Sequence, residues 1–164
     1  MEKFQELRGE ARLKLKNADH LITMTYQMVK DNKLLMAAVE NLYQALELSI
    51  TSVLSYERMF KRVQPFHNEL SSKLNIFYQD IAPKRNIDKS YLKLIQDIGD
   101  IVQAHKLSSV EFTRKDRLVI ASENYELREL TPELVKNYLE KSKKFIQDME
   151  IIVSQDEHIH GRCN

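Results

Sequence analysis

The sequence predicts an all-α fold: an antiparallel four- to five-helix up-down bundle with a short extended or β-hairpin excursion near residues 110–130. Three observations predict it. Apolar side chains return at steps of three and four over long stretches, the spacing that keeps one face of a helix oily. Glycine and proline number only three each in 164 residues, so turns are few. The helical period lapses in one place, between Leu107 and Leu130.

The first stripe is Phe4, Leu7, Ala11, Leu15, Ala18, Ile22, Tyr26 and Val29, which predicts a helix running to Lys30. Gly9 costs that helix about 1 kcal/mol against alanine, and Asn17 with Asp19 marks a place where it can break. Asp31-Asn32 is a turn and N-cap signal. After it Leu35, Val39, Leu42, Leu46, Ile50, Val53, Tyr56 and Phe60 form a second stripe, which Leu34, Ala37, Ala38, Ala45, Leu48 and Ser49 widen. A helix apolar over so broad a face is packed on two sides, which places it at the centre of the bundle.

Gln64-Pro65 interrupts the pattern, because proline suits the first turn of a helix and not its interior. The third stripe is Phe66, Leu70, Leu74, Phe77 and Ile81, closed by Pro83 with Lys84 and Arg85. A fourth helix begins near Asp88 and turns Tyr91, Leu94, Ile95, Ile98, Ile101, Val102 and His105 inward. Val110 and Phe112 then alternate with polar neighbours, and Leu118-Val119-Ile120 is a β-favouring run, so a hairpin turning at Glu123-Asn124 is expected. Thr131-Pro132-Glu133 opens a last helix with an N-cap, a proline at the first helical position and an acid at the positive end of the dipole. Its stripe runs from Leu134 to Val153. The polar remainder, residues 154–164, reads as a mobile tail, which leaves residues 1–153 as one helical domain.

The 25 basic and 24 acidic side chains nearly cancel, so any attraction to nucleic acid must come from a local patch. No run of about 18 uncharged apolar residues is present and the first thirty residues are charged throughout, so neither membrane insertion nor export is expected. The single Cys163 allows no internal disulfide, and a reducing cytoplasm is the expected setting.

No catalytic set is legible. Glu157 and His160 form the one Glu-x-x-His pair, where a di-iron bundle needs two, and Gly9, Gly99 and Gly161 cannot assemble a phosphate loop. Asp156, Glu157, His158, His160 and Cys163 are metal-ligand types strung along one strip, not presented by paired elements of a scaffold. No metal and no cofactor is therefore expected. His105, on the apolar face of its helix, reads as a hydrogen-bonded core or boundary histidine and not as a base. The candidate ligand-binding residues are Arg114, Lys115 and Arg117 with Glu123, Asn124 and Tyr125, because charged and hydrogen-bonding groups gather where the helical pattern stops. Guanidinium groups beside a tyrosine suit phosphate and a stacked base, so RNA or a nucleotide is one expected ligand. Lys84 and Arg85 join that patch if the third helix ends beside it.

The segment Asn41-Leu42-Tyr43-Gln44-Ala45-Leu46-Glu47-Leu48-Ser49-Ile50 resembles the long second helix of HEPN-type bundles, small helical domains of prokaryotic toxin, antitoxin and nucleotidyltransferase-partner proteins. The order of the later segments is similar too: Val110 to Asp116, then Leu130-Thr131-Pro132-Glu133 opening a last helix that carries Lys144-Phe145-Ile146. Active HEPN ribonucleases pair an arginine with a histidine a few residues further on, with four to six residues between. Arg114 and Arg117 have no histidine at that distance. The resemblance therefore implies a member without the nuclease pair, a non-enzymatic module that self-associates or binds a protein partner; RNA or nucleotide binding by the basic segment 114–125 is the first alternative, and an enzyme whose site is assembled from distant residues and not visible in sequence is the second.

Overall fold

The computed structural model describes residues 2–160. Helix α1 (Lys3–His20) passes through a π-helical turn at Leu21–Thr25 into α2 (Tyr26–Val29), and α3 is Lys33–Met59. Helix α4 (Leu70–Ile76) passes through a second π-helical turn, Phe77–Ile81, into α5 (Ala82–Arg85), and α6 is Ser90–Leu107. Strands β1 (Val110–Arg114), β2 (Arg117–Ala121) and β3 (Leu127–Leu130) precede α7 (Pro132–His160).

The first stripe is buried as the spacing requires, from Phe4 through Ala11 and Ala18 to Ile22 and Tyr26. Two details differ. The helix does not break at Asn17 or Asp19; its irregularity comes later, in the π turn, and Val29 beyond that turn is exposed. Lys30 then takes a left-handed conformation (φ 57°), and its amide bonds back to Tyr26 O at 2.8 Å, closing the helix end.

The α1–α2 rod and α3 are joined by a short turn and pack side by side, and α3 also meets α4, α6 and α7. This accounts for its wide apolar face. Leu35, Leu42, Leu46, Ile50 and Leu54 are 0–1% exposed, and full burial of such a side chain stabilises by about 2 kcal/mol. The last turn of α3 is closed by Lys61 (φ 55°) and by the Arg62 amide, which donates to Glu57 O at 3.0 Å.

Residues 60–69 form an irregular connection, so the third helix starts at Leu70 and not at Phe66. Pro83 with Lys84 and Arg85 does close the rod, which ends at Arg85. Pro83 lies in the first turn of α5, where the preceding π turn has already shifted the backbone ladder that proline would otherwise break. Asn86 (φ 52°) terminates that helix, and Asp88 Oδ1 accepts the Ser90 amide at 2.9 Å to start α6. Thr131 Oγ1 accepts the Leu134 amide at 3.1 Å, the cap its sequence announces.

The excursion holds two turns where the sequence suggests one. β1 and β2 are antiparallel with Arg114 opposite Arg117, so Lys115-Asp116 is a two-residue turn; β2 and β3 are joined through residues 122–126. The strand order is β1-β2-β3. Leu118, Ile120 and Leu130 enter the main core from the inner face of the sheet. The molecule is thus mainly helical with a hairpin excursion, and the three-stranded sheet and the short α4–α5 rod keep it from being a plain up-down bundle.

The polar end needs a larger correction. Helix α7 continues to His160, and Asp156 is only 6% exposed, so residues 154–160 are part of the helical body and not a tail. Periodicity counts oily residues, and here the inward position is filled by a charge whose partners lie elsewhere in the chain. Residues 161–164, with Cys163, lie outside the described residues. Among the described residues no helix is long and apolar enough to cross a membrane.

Candidate functional site

The expected ligand cluster is divided by the fold. Lys115 (φ 56°) and Asp116 form the β1–β2 turn, with Arg114 and Arg117 paired across it. Glu123, Asn124 and Tyr125 occupy the β2–β3 turn at the opposite end of β2, about 17 Å away for a five-residue strand. Arg117 is engaged by Glu129 at 2.7 Å and by Asp116 at 3.8 Å, and the contact with Glu129 draws its guanidinium pKa above the usual value. Tyr125, at φ 62°, is 92% exposed.

Lys84 and Arg85 do not join this group. Arg85 donates to Glu57 Oε1 and Asp156 Oδ1, both at 3.2 Å, beside the end of α3, whereas the β1–β2 turn sits beside its start. The 25 positions from Asn32 to Glu57 separate them by about 37 Å along the helix.

What holds the hairpin in place is Asn32, 4% exposed. Its Nδ2 donates to Lys115 O and Arg117 O, both at 3.2 Å, and its Oδ1 accepts from the Tyr26 hydroxyl at 3.0 Å. The sequence marks Asn32 as part of a cap. The capping bond is made by Asp31, whose Oδ1 accepts the Lys33 amide at 3.0 Å, which frees the asparagine amide to tie the turn to the bundle.

The arginine–histidine spacing of HEPN ribonucleases does occur away from the hairpin. Arg62-Val63-Gln64-Pro65-Phe66-His67 has four residues between the two, which removes the expectation that the chain lacks such a pair. The Arg62 guanidinium is held by Asp156 at 3.0 Å and Glu57 at 3.4 Å, while His67 lies exposed on the 60–69 connection. Glu57 and Asp156 are 5% and 6% exposed. Burial alone raises the Asp156 pKa, but hydrogen bonds from Tyr56 (2.6 Å), Arg62 and Arg85 outweigh it and hold the carboxyl at about 2. This node joins α3, α5, α7 and the 60–69 connection beside a cleft of about 220 Å³ that Lys84 also lines. Sequence reading misses the node because its members are scattered from position 56 to 156.

A second cluster surrounds His105. Its Nε2 lies 3.2 Å from Glu40 on α3 and its Nδ1 meets Glu111 on β1, the boundary position that its place on α6 suggests. These residues line a groove of about 330 Å³ with Lys33, Met36, Ala37, Phe112, Thr113 and Leu118. Among the described residues no group of three or more histidine, cysteine or acidic side chains is placed to hold a metal.

The outer face of the sheet is a feature the sequence leaves unassigned. Alternation puts Val110, Phe112 and Arg114 of β1, Arg117, Val119 and Ala121 of β2, and Leu127 and Glu129 of β3 on that face. Val110, Phe112 and Leu127 are 52%, 43% and 60% exposed. Val119 is buried outside the main core, with Phe112 and Glu129 as its cross-strand partners. Leu107, at the end of α6 just before β1, is exposed as well. The alternating Val110 and Phe112 are the signal in the sequence, but strand residues half covered by solvent resemble any edge until the topology is known. Compared with known protein families, curated proteins and solved structures, the chain matches none.

Proposed function

We propose that the chain is a non-enzymatic interaction module of HEPN-like type, a helical scaffold that presents its three-stranded sheet to a protein partner. The observation that carries this is the sheet's outer face: Val110, Phe112 and Leu127 are exposed together on strands whose register is tied to the bundle through Asn32. An apolar surface on a fixed backbone gains by being covered and loses little entropy in the process. The dispersal of the basic side chains favours this reading over RNA or nucleotide binding, since Arg117 is neutralised by Glu129, and Lys84 and Arg85 lie at the other end of α3. Phe112→Asp with Leu127→Asp is expected to leave the helical circular dichroism unchanged and to abolish association seen by light scattering or partner capture. A wild-type chain that stays monomeric and captures nothing beyond what the double variant captures contradicts the reading.

A second reading, cleavage of RNA, rests on the Arg62 to His67 spacing, with Arg62 in the cleft that Lys84 and Arg85 also line. Labelled RNA incubated with the wild type and with His67→Ala tests it. Equal absence of cleavage in both rejects it.

A further inference from the structure

The register of the sheet narrows what the partner is. Because Arg114 and Arg117 close a two-residue turn, they form a hydrogen-bonded pair, and by alternation Phe112 with Val119 and Val110 with Ala121 do the same. The peptide groups of Glu111 and Thr113 therefore point away from β2, along the free edge of the sheet. Any strand added to this edge must bond there.

For two copies related by a two-fold axis, three registers bring outward peptide groups face to face. Centring on Glu111 sets two carboxylates opposite each other, a destabilising cross-strand pair. Centring on Thr113 requires Lys115, which is in the left-handed region and outside the strand. Centring on Phe112 uses Glu111 and Thr113 in both copies. It sets Phe112 against Phe112 of the second copy, Glu111 against Thr113 and Arg114 against Val110, so no like charges meet.

The groove beneath β1 fits the same register. Asn32 bonds the β1–β2 turn and Glu40 meets His105 beside Glu111, so α3 runs along β1 with Lys33 at the Thr113 end. Glu111 of the second copy, opposite Thr113, arrives next to Lys33, opposite in charge. Met36, Ala37 and Leu118 supply the apolar floor.

We propose that a second copy of this chain pairs antiparallel with β1 about an axis through Phe112, joining the two three-stranded sheets into one. This deepens the interaction reading and rests on it. The mode is strand addition, in which backbone bonds supply affinity and alternate side chains supply choice.

Cysteine cross-linking in a Cys163→Ser background tests the register. Under mild oxidation Phe112→Cys is expected to give a covalent dimer. Glu111→Cys alone and Thr113→Cys alone are expected to give no covalent dimer, and an equimolar mixture of the two to cross-link. All these sites are on an exposed edge, and circular dichroism verifies that each variant keeps the helical fold. Cross-linking by Glu111→Cys alone, or none by Phe112→Cys with a wild type that sediments as a monomer at every concentration, overturns the second copy as partner. In the latter case, loss of partner capture on Phe112→Asp leaves the interaction reading standing, and unchanged capture rejects both.

Discussion

Asn32 and Asp156 show how single polar side chains decide the shape of a mostly apolar fold. Each amide group of Asn32 is bonded, and removing the side chain leaves the buried Tyr26 hydroxyl without its acceptor and releases Lys115 O and Arg117 O of the turn from the bundle. Asn32→Ala is expected to cost about 2 kcal/mol, the penalty for leaving buried partners unpaired, read from urea unfolding, and to speed amide exchange in β2 before the helices. An unchanged midpoint contradicts this. Asp156 acts through its charge. Its folded pKa, about 2, is below the ordinary 3.8, so its stabilisation is present in full above the unfolded value and is lost as pH falls from 3.8 through about 2. Unfolding midpoints of the wild type are expected to fall more steeply over that interval than those of Asp156→Asn; parallel curves rule the linkage out.

At the scale of elements, what the sequence discloses and what it withholds divide along one physical line. Stripes at helical spacing predict α1, α3, α6 and α7, because apolar periodicity is a local property. Thr131-Pro132 announces its helix for the same reason. The β1–β2 turn is missed because Lys115 adopts a positive φ without being the Asn or Gly that normally marks such a turn. Pro83 with Lys84 and Arg85 marks the end of its rod correctly, whereas the π turn just before it has no distinctive sequence mark. The last two turns of α7 are missed because Asp156 faces inward toward arginines 94 and 71 positions away. Truncation after Val153 tests that correction. It removes Asp156 and leaves Glu57, Arg62 and Arg85 partly uncompensated, with an expected loss of about 3 kcal/mol. A mobile tail would be removed at no cost.

For the whole molecule, α3 is the axis on which two distant features are mounted, the arginine–carboxylate node near Glu57 and the hairpin at Asn32. The candidate site was partly legible: the sequence points to the segment that leaves the helical period, and the sheet is there. Its chemistry was not legible, because grouping by proximity along the chain put Arg114 to Arg117 with Glu123 to Tyr125, and a strand holds them apart. The surface that remains is an edge strand whose Glu111 and Thr113 peptide groups point away from β2, with exposed Val110 and Phe112 alongside. Native sheets rarely leave such an edge uncovered. Hydrogen exchange of the Glu111 and Thr113 amides, followed over a range of protein concentrations, asks directly whether this edge is covered. The account predicts that both amides slow as concentration rises while the amide of exposed Tyr125 keeps its rate; exchange at Glu111 and Thr113 that stays fast and independent of concentration would contradict it.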